Sequence, residues 1–350
     1  MSQFTASAPQ ITPQNDHDAI VRGLYQGFLG REPDPDGLLH WTARLAAGEG
    51  ANAILASLME SAEYLQRHGA DAALSALKQR AVAAAALLLG RPMTIVDIGA
   101  QELADESHVY APLTESRLDC RIIGFEPQEE KIAASLQRMD PRVTLFPTFI
   151  GDGTSHTFHL NNVDATSSLL PLNHALTQQL VELSHLRTVQ TESVATSRLD
   201  DVLAGTGHVD FLKLDIQGFE LPVLRHAAQT LAQTQVVHCE IGFAPIYAGQ
   251  ALFSEVETLL RASGFYLLDF YSLCRYQSVG TVHVTRDRLG WGDAVFFREP
   301  TLLADPSALL AQSLIALLVY DKPSTAAALA QHYDAATGAQ FAKVFDQEAP

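Results

Sequence analysis

Cysteine is scarce in this 350-residue chain: Cys120, Cys239 and Cys274 lie far apart and form no CxxC pair. That excludes a disulfide framework or a thiolate zinc site and suits the reduced thiols of a cytosolic protein. Positive charge is scarce too, with 23 Lys and Arg against 40 Asp and Glu and a formal net charge of -17. A nucleic-acid backbone or an anionic membrane surface is thereby excluded as a partner. Long hydrophobic runs are missing. The greasiest stretch, Leu309 to Tyr320, is too short to span a bilayer and carries Gln312 and Ser313. The N-terminus is polar, without the apolar core of a signal peptide, which places the chain in the cytoplasm. Two phosphate-binding fingerprints are also lacking. "GAQELA" stands where a nicotinamide enzyme needs G-x-G-x-x-G, and no GK[ST] marks a P-loop.

What is present falls into five stretches. Residues 1–15 are rich in Ser, Thr, Pro and Gln, a composition that favours disorder. Residues 16–69 read as helices. Ile20, Leu24 and Phe28 repeat at helical spacing, "GREPDPDG" is a turn, Asp36 is placed to cap the next helix, and Leu38, Trp41 and Leu45 continue the pattern. Asp34 and Asp36 sit at calcium-loop spacing, but no later bidentate Glu follows, so a capped turn is the reading. Residues 70–92 form an Ala/Leu-rich helical linker ended by Pro92, and residues 300–350 a helical extension. That extension either docks on the main domain or meets a second subunit. The string "LYQGFLGREPDPDGLLHW" with "LMESAEYLQR" resembles a bacterial helical module of unknown function, which recurs in surface-layer, toxin-repeat and glycan-modifying proteins.

Between them, residues 93–299 alternate strands and helices as an α/β sheet does. "MTIVDIGA", "RIIGFEP" and "RVTLFPTFIGDG" read as the first three strands, "VDFLKLDIQGFELPVL" as a buried strand, a turn at Gly218 and a helix start, and "QVVHCEIGF" as the next strand. Helices are expected over 106–115, 128–139 and 174–186, and "FYLLDFYSL" and "GDAVFF" as a final antiparallel pair. Acids and glycines recur where strands end, the place at which open α/β sheets bind ligands. A tight turn at Gly99 lets backbone N–H groups approach a ligand. Glu126 is placed to accept both hydroxyls of a ribose, and Asp152 the amino group of an adenine. In order, they point to an adenosine-containing cofactor.

The motifs "VDIGA", "IGFEPQ", "IGDG", "TSSLL", "RLDDVL", "DFLKLDIQGFELPVLRHA", "EIGFAPIY" and "GDAVFF" resemble those of the FkbM family of S-adenosylmethionine-dependent methyltransferases. The resemblance implies a Rossmann-like, seven-stranded class I methyltransferase sheet, S-adenosylmethionine as cofactor, and methyl transfer to an oxygen. It implies that Asp97, Gly99 and Ala100 line the methionine end of the cofactor, Glu126 holds the ribose, and Gly151 and Asp152 lie near adenine. Lys213, Asp215, Gln217, Gly218 and Glu220 form the signature beside the transferred methyl, with Gln217 where many members have Glu.

In-line transfer requires a base that reaches the acceptor hydroxyl. Asp215 is the first candidate, Glu240 the second, with Lys213 and Glu220 beside them and His238 in reserve. The alternative for each acid is a structural cap. Asp215 and Glu240 offer two oxygens to a magnesium ion, but Gln217 removes a third, so no metal is assigned. Ser167, Ser168, Phe243 and Tyr247 are expected to bind the acceptor. The expected acceptor is a hydroxyl of a bacterial glycan or glycoconjugate, with the N-terminal module aiding recognition or assembly of a homo-oligomer. A secondary-metabolite acceptor and a non-catalytic adenosine-binding scaffold stay open.

Overall fold

The structure, a computed structural model, describes residues 13–59, 61–100, 107–128 and 140–346. The N-terminal stretch to residue 12, the acids Glu102, Asp105 and Glu106, and nearly all of the helix expected over 128–139 lie outside it. The chain divides into two compact units, Met1–Leu77 and Lys78–Pro350.

The first unit is helical, with helices Pro13–Leu24, Pro35–Ala46 and Ala51–Met59 and the start of Ala62–Leu88. Asp34, not Asp36, is the cap. Its Oδ1 accepts the Gly37 N–H at 2.8 Å, and Pro35 fills the first helical position, where no N–H is needed. Val21, Tyr25, Ile54 and Leu58 form the core, with Trp41 packed against it. Trp41 Nε1–H donates to the Tyr25 hydroxyl at 3.0 Å, so this indole serves packing.

The strands of the second unit, among the described residues, are β1 (Met93–Ile98), β2 (Cys120–Phe125), β3 (Val143–Phe146), β4 (Phe149–Ile150), β5 (Ser155–Asn161), β6 (Thr188–Ser197), β7 (Val209–Leu214), β8 (Thr234–Gly242), β9 (Phe265–Tyr276) and β10 (Arg288–Arg298). Seven of them form the expected mixed α/β sheet, in the order β3-β2-β1-β7-β8-β10-β9. The first five of that order run parallel, and β10 is antiparallel to both neighbours. Every residue of β1 is buried, as are all of β7 except Lys213, as strands covered on both faces require.

The third expected strand is split. Pro147 has no N–H to donate to a ladder, and the chain leaves the main sheet after Phe146. Phe149–Ile150 joins β6 and β5 in a separate three-stranded sheet. The expected helix over 174–186 shrinks to one turn, His174–Thr177, followed by turns. This segment is fastened on both sides. Asn173 donates N–H to Ile246 O, and Val181 N–H donates to Gln277 O.

The helix Pro306–Leu318 is apolar all round, and every residue from Ala308 to Leu318 is buried. Such a helix belongs inside a protein. It lies against β7 and β8, and Gln312 Nε2 donates to the carbonyls of Gln235 and Arg298 at 3.0 and 2.9 Å. The helix Pro323–Thr337 packs on it. The C-terminal helices are therefore one layer of the second unit.

At the start of β7, the fully buried Asp210 accepts two N–H groups of Arg91, both at 2.8 Å, and the Thr94 backbone N–H at 2.8 Å. Asp210→Ala strands a largely buried guanidinium, and the cost should be about 3 kcal/mol, measurable as a lower Tm.

Candidate active site

Strand register builds the site. Asp97 pairs with Lys213, and Lys213 with His238. Leu214 pairs with Cys239, so Asp215 and Glu240 come next to each other at the strand ends. Because side chains alternate with period two, Asp97, Lys213, Asp215, His238 and Glu240 share one face. Antiparallel β10 adds Asp293 opposite Glu240. A cavity of about 720 Å³ opens over this face, with Lys213, Asp215, Gln217, His238, Glu240 and Asp293 in its wall.

Lys213 Nζ donates to Asp97 Oδ1 at 3.2 Å and lies 3.7 Å from Asp215 Oδ2. Burial opposes its charge, but the Asp97 and Asp215 carboxylates outweigh it and raise the ammonium above its ordinary range. Asp97 is fully buried and also accepts from the Tyr110 hydroxyl at 2.9 Å. It thus anchors Lys213 and does not line the cavity. Ala100 likewise packs inside, whereas Gly99 reaches the cavity wall. Gly99 has φ +82°, and a Cβ there would lie 2.0 Å from Asp215 O, so only glycine lets these two strand ends approach.

After β7 the backbone turns through Gln217 at φ +59° and Gly218 at φ +96°. Buried Glu220 holds the turn: its Oε1 accepts the N–H groups of Ile216 at 3.0 Å and Gly218 at 3.1 Å. Burial nevertheless raises its pKa to about 7. Glu220 is a fastener beneath the cavity, not part of its wall. Glu240 is pushed well above the usual carboxyl range by burial and by the charges of Asp215 and Glu220. Burial also raises Asp293, whose Oδ2 accepts the Ser272 hydroxyl at 2.6 Å. His238 shares a hydrogen bond of 3.0 Å with the Tyr320 hydroxyl, and burial with the Lys213 charge lowers it to about 3. Its imidazole is neutral at physiological pH.

The roof is the 164–187 segment. The Ser168 hydroxyl donates to Gln217 O at 2.7 Å, and Ser167 Oγ accepts the Asn161 N–H at 3.1 Å. The Tyr247 hydroxyl lies 2.9 Å from Gln217 Oε1 and 3.0 Å from Thr166 O. All three residues line the cavity. Phe243 does not: it packs against Phe253 and Phe270 with ring centroids 5.7 Å apart in each pair. Tyr276 and Trp291, absent from the expected acceptor residues, complete an aromatic wall with Tyr247. Asp293 is likewise absent from the expected residues, although the motif "GDAVFF" contains it and an acid within a buried antiparallel strand carries that signal.

At the other end lie Gly99, Glu126, Gln128, Thr148 and Phe149. Glu126 is buried at the end of β2, and its Oε1 accepts the Gln128 N–H at 2.9 Å. A fixed carboxylate beside an aromatic ring fits a ribose and an adenine. Gly151 and Asp152 are not brought there. The break at Pro147 carries them into the small sheet, where Asp152 Oδ1 is bound by Thr154 and by His156 at 2.9 Å. Among the described residues no group of three or more His, Cys, Asp or Glu could hold a metal ion, and no helix is long and apolar enough to cross a membrane.

A sheet of this order, with an acid closing its second strand and a cavity over its strand ends, defines a class I S-adenosylmethionine-dependent methyltransferase. Residues 97–267 match the methyltransferase FkbM domain, and residues 1–68 a domain of unknown function, DUF4214. The 2-O-methyltransferase NoeI of Sinorhizobium fredii is 30% identical over 172 residues, 47% of this chain and 69% of that protein. The chain belongs to the FkbM methyltransferase family. Among solved structures, the methyltransferase FkbM of Methylobacillus flagellatus is similar at 14% identity and a TM-score of 0.34, over 79% of this chain and 58% of that one. The magnesium protoporphyrin IX methyltransferase of Synechocystis, with S-adenosylmethionine bound, gives 11% and 0.29 over 83% and 100%.

A carboxyl with a raised pKa in the folded chain keeps its proton longer there than in the unfolded chain. Its share of stability is therefore present at low pH and is lost as pH rises from the ordinary carboxyl range to about 7 for Glu220. The wild-type Tm should fall between about pH 5 and about pH 8. Glu220→Gln keeps the acceptor for both N–H groups, so its profile should be flatter and its Tm at about pH 8 no lower than the wild type's. An equally steep fall in the variant would remove Glu220 as the cause.

Proposed function

We propose that this methyltransferase acts in the cytoplasm on a hydroxyl of a bacterial glycan or glycoconjugate, with Asp215 as the base. The observation that carries the reading is the state of Asp215. Its side chain is 40% exposed at the cavity wall, braced by Lys213 behind and Gln217 beside it. Glu240 and Asp293, the other acids of the wall at that end, are pushed toward their protonated forms. The 2-O-methyltransferase relative supports an oxygen acceptor, and the flat faces of Tyr247, Tyr276 and Trp291 suit a sugar ring.

S-adenosylmethionine supplies an electrophilic sulfonium methyl when bound. Glu126 would hold its ribose, with Gly99 and Phe149 beside it. Asp215 would accept the acceptor's hydroxyl proton as that oxygen takes the methyl group from the bound cofactor, the sulfur keeping the electron pair. The products are a methyl ether, S-adenosylhomocysteine and a proton on the carboxyl. Lys213 keeps the carboxylate oriented before transfer.

Calorimetry should give one-site, micromolar binding of S-adenosylmethionine and of S-adenosylhomocysteine, weakened about tenfold or more by Glu126→Ala. In a screen of oligosaccharide acceptors, Asp215→Asn should lower kcat by about 10²–10⁴ while cofactor binding is retained. Normal turnover by Asp215→Asn would rule out Asp215 as the base.

A further inference from the structure

Gln217 carries contacts that the transfer reaction does not by itself explain. Its Nε2 lies 3.0 Å from Asp215 Oδ1 and 3.2 Å from Glu240 Oε2, and its Oε1 is 2.9 Å from the Tyr247 hydroxyl. Both amide hydrogens thus have a carboxyl acceptor, and the amide oxygen shares the single Tyr247 hydroxyl hydrogen with the Thr166 carbonyl. The opposite orientation would set the amide oxygen against the Asp215 carboxylate, so chemistry fixes the one found. The backbone is held as firmly as the side chain. It keeps φ +59°, an uncommon conformation for a residue with a Cβ. Its carbonyl is locked by the Ser168 hydroxyl at 2.7 Å.

We propose that Gln217 is a positioning residue standing in the place of a cation: its amide bridges Asp215 and Glu240, and methyl transfer proceeds without a divalent metal there. Two neighbouring carboxyl groups need a cation, a shared proton or further hydrogen-bond donors between them; burial and Asp215 push Glu240 toward holding the proton, and the Gln217 amide adds the donors. A hard divalent cation requires several oxygen ligands, whereas Gln217 presents N–H groups to this gap. The exchange has a chemical consequence. A metal-bound carboxylate is a weak base because its lone pairs are engaged, but a carboxylate accepting one neutral N–H can still take a proton. The bridge also links the Asp215–Glu240 pair to the roof through Ser168 and Tyr247.

The test is manganese binding, followed by electron paramagnetic resonance of the free ion and by Tm, on full-length protein. Wild type should leave Mn²⁺ free up to about 1 mM. Gln217→Glu supplies a third carboxylate and should bind one Mn²⁺ at least about tenfold more tightly than wild type. Gln217→Ala removes the bridge and should gain a Mn²⁺-dependent rise in Tm that wild type lacks, which keeps the test decisive should Gln217→Glu fold poorly. The proposal is overturned if wild type binds one Mn²⁺ that Asp215→Asn abolishes, or if neither Gln217 variant responds to the ion. No acceptor enters these measurements, so a wrong glycan assignment would leave their outcome unaffected.

Discussion

The ammonium of Lys213, set between Asp97 and Asp215, is the contact on which the active site depends. A charge in the middle of a parallel sheet costs several kcal/mol unless it is paired. Here it is paired on one side with a fully buried carboxylate and on the other with one that reaches the cavity. The arrangement is asymmetric. Asp97, held by Tyr110 as well, makes the ammonium permanent. Asp215 then sits beside a fixed positive charge while remaining open to ligands. Lys213 also helps keep His238 neutral, which removes a competing cation from the same face.

Around that pair, the turn after β7 does two jobs with neighbouring residues. Glu220 satisfies the N–H groups of Ile216 and Gly218 from below. Gln217 satisfies two carboxyl groups and a tyrosine from above. Left-handed backbone at two consecutive positions is unfavourable for most sequences, and these hydrogen bonds hold it in place. Stability and function therefore meet in one short loop. The acid that keeps the turn folded is itself held partly protonated by burial, so the site is adjusted to working pH at some expense of stability.

Much of this was legible in the sequence because it rests on periodicity. Asp215 and Lys213 share a face by alternation, Glu240 and His238 do likewise, and Glu126 follows directly from the end of an apolar strand. What was not legible depends on where a chain leaves its sheet. Reading "RVTLFPTFIGDG" as one strand carried Asp152 to the cofactor. Pro147 turns it into a second sheet, where Asp152 Oδ1 is bound by Thr154 and His156. Phe243 was a fair acceptor candidate by its position next to Tyr247, but its ring faces Phe253 and Phe270. The helix Pro306–Leu318 is apolar on every side, and that pattern already distinguishes a core element from an appended one. Tyr276 and Trp291 required knowledge of an antiparallel pairing whose register includes a shift between Leu289 and Trp291, which no periodicity rule supplies.

The charge state of the cavity follows from these placements and bears on the chemistry. A sulfonium loses its positive charge as the methyl leaves, so a strongly anionic site would stabilise the bound cofactor more than the transition state and slow the reaction. Four acids, Asp215, Glu220, Glu240 and Asp293, lie close together at the end of this sheet, enough to create that problem. Burial answers it in part by raising Glu220, Glu240 and Asp293, and Asp215, in the same cavity wall, is paired with Lys213. In the proposed reaction that acid then gains a proton as the sulfonium is neutralised. Charge on both partners falls together, so the step asks little rearrangement of the groups around it.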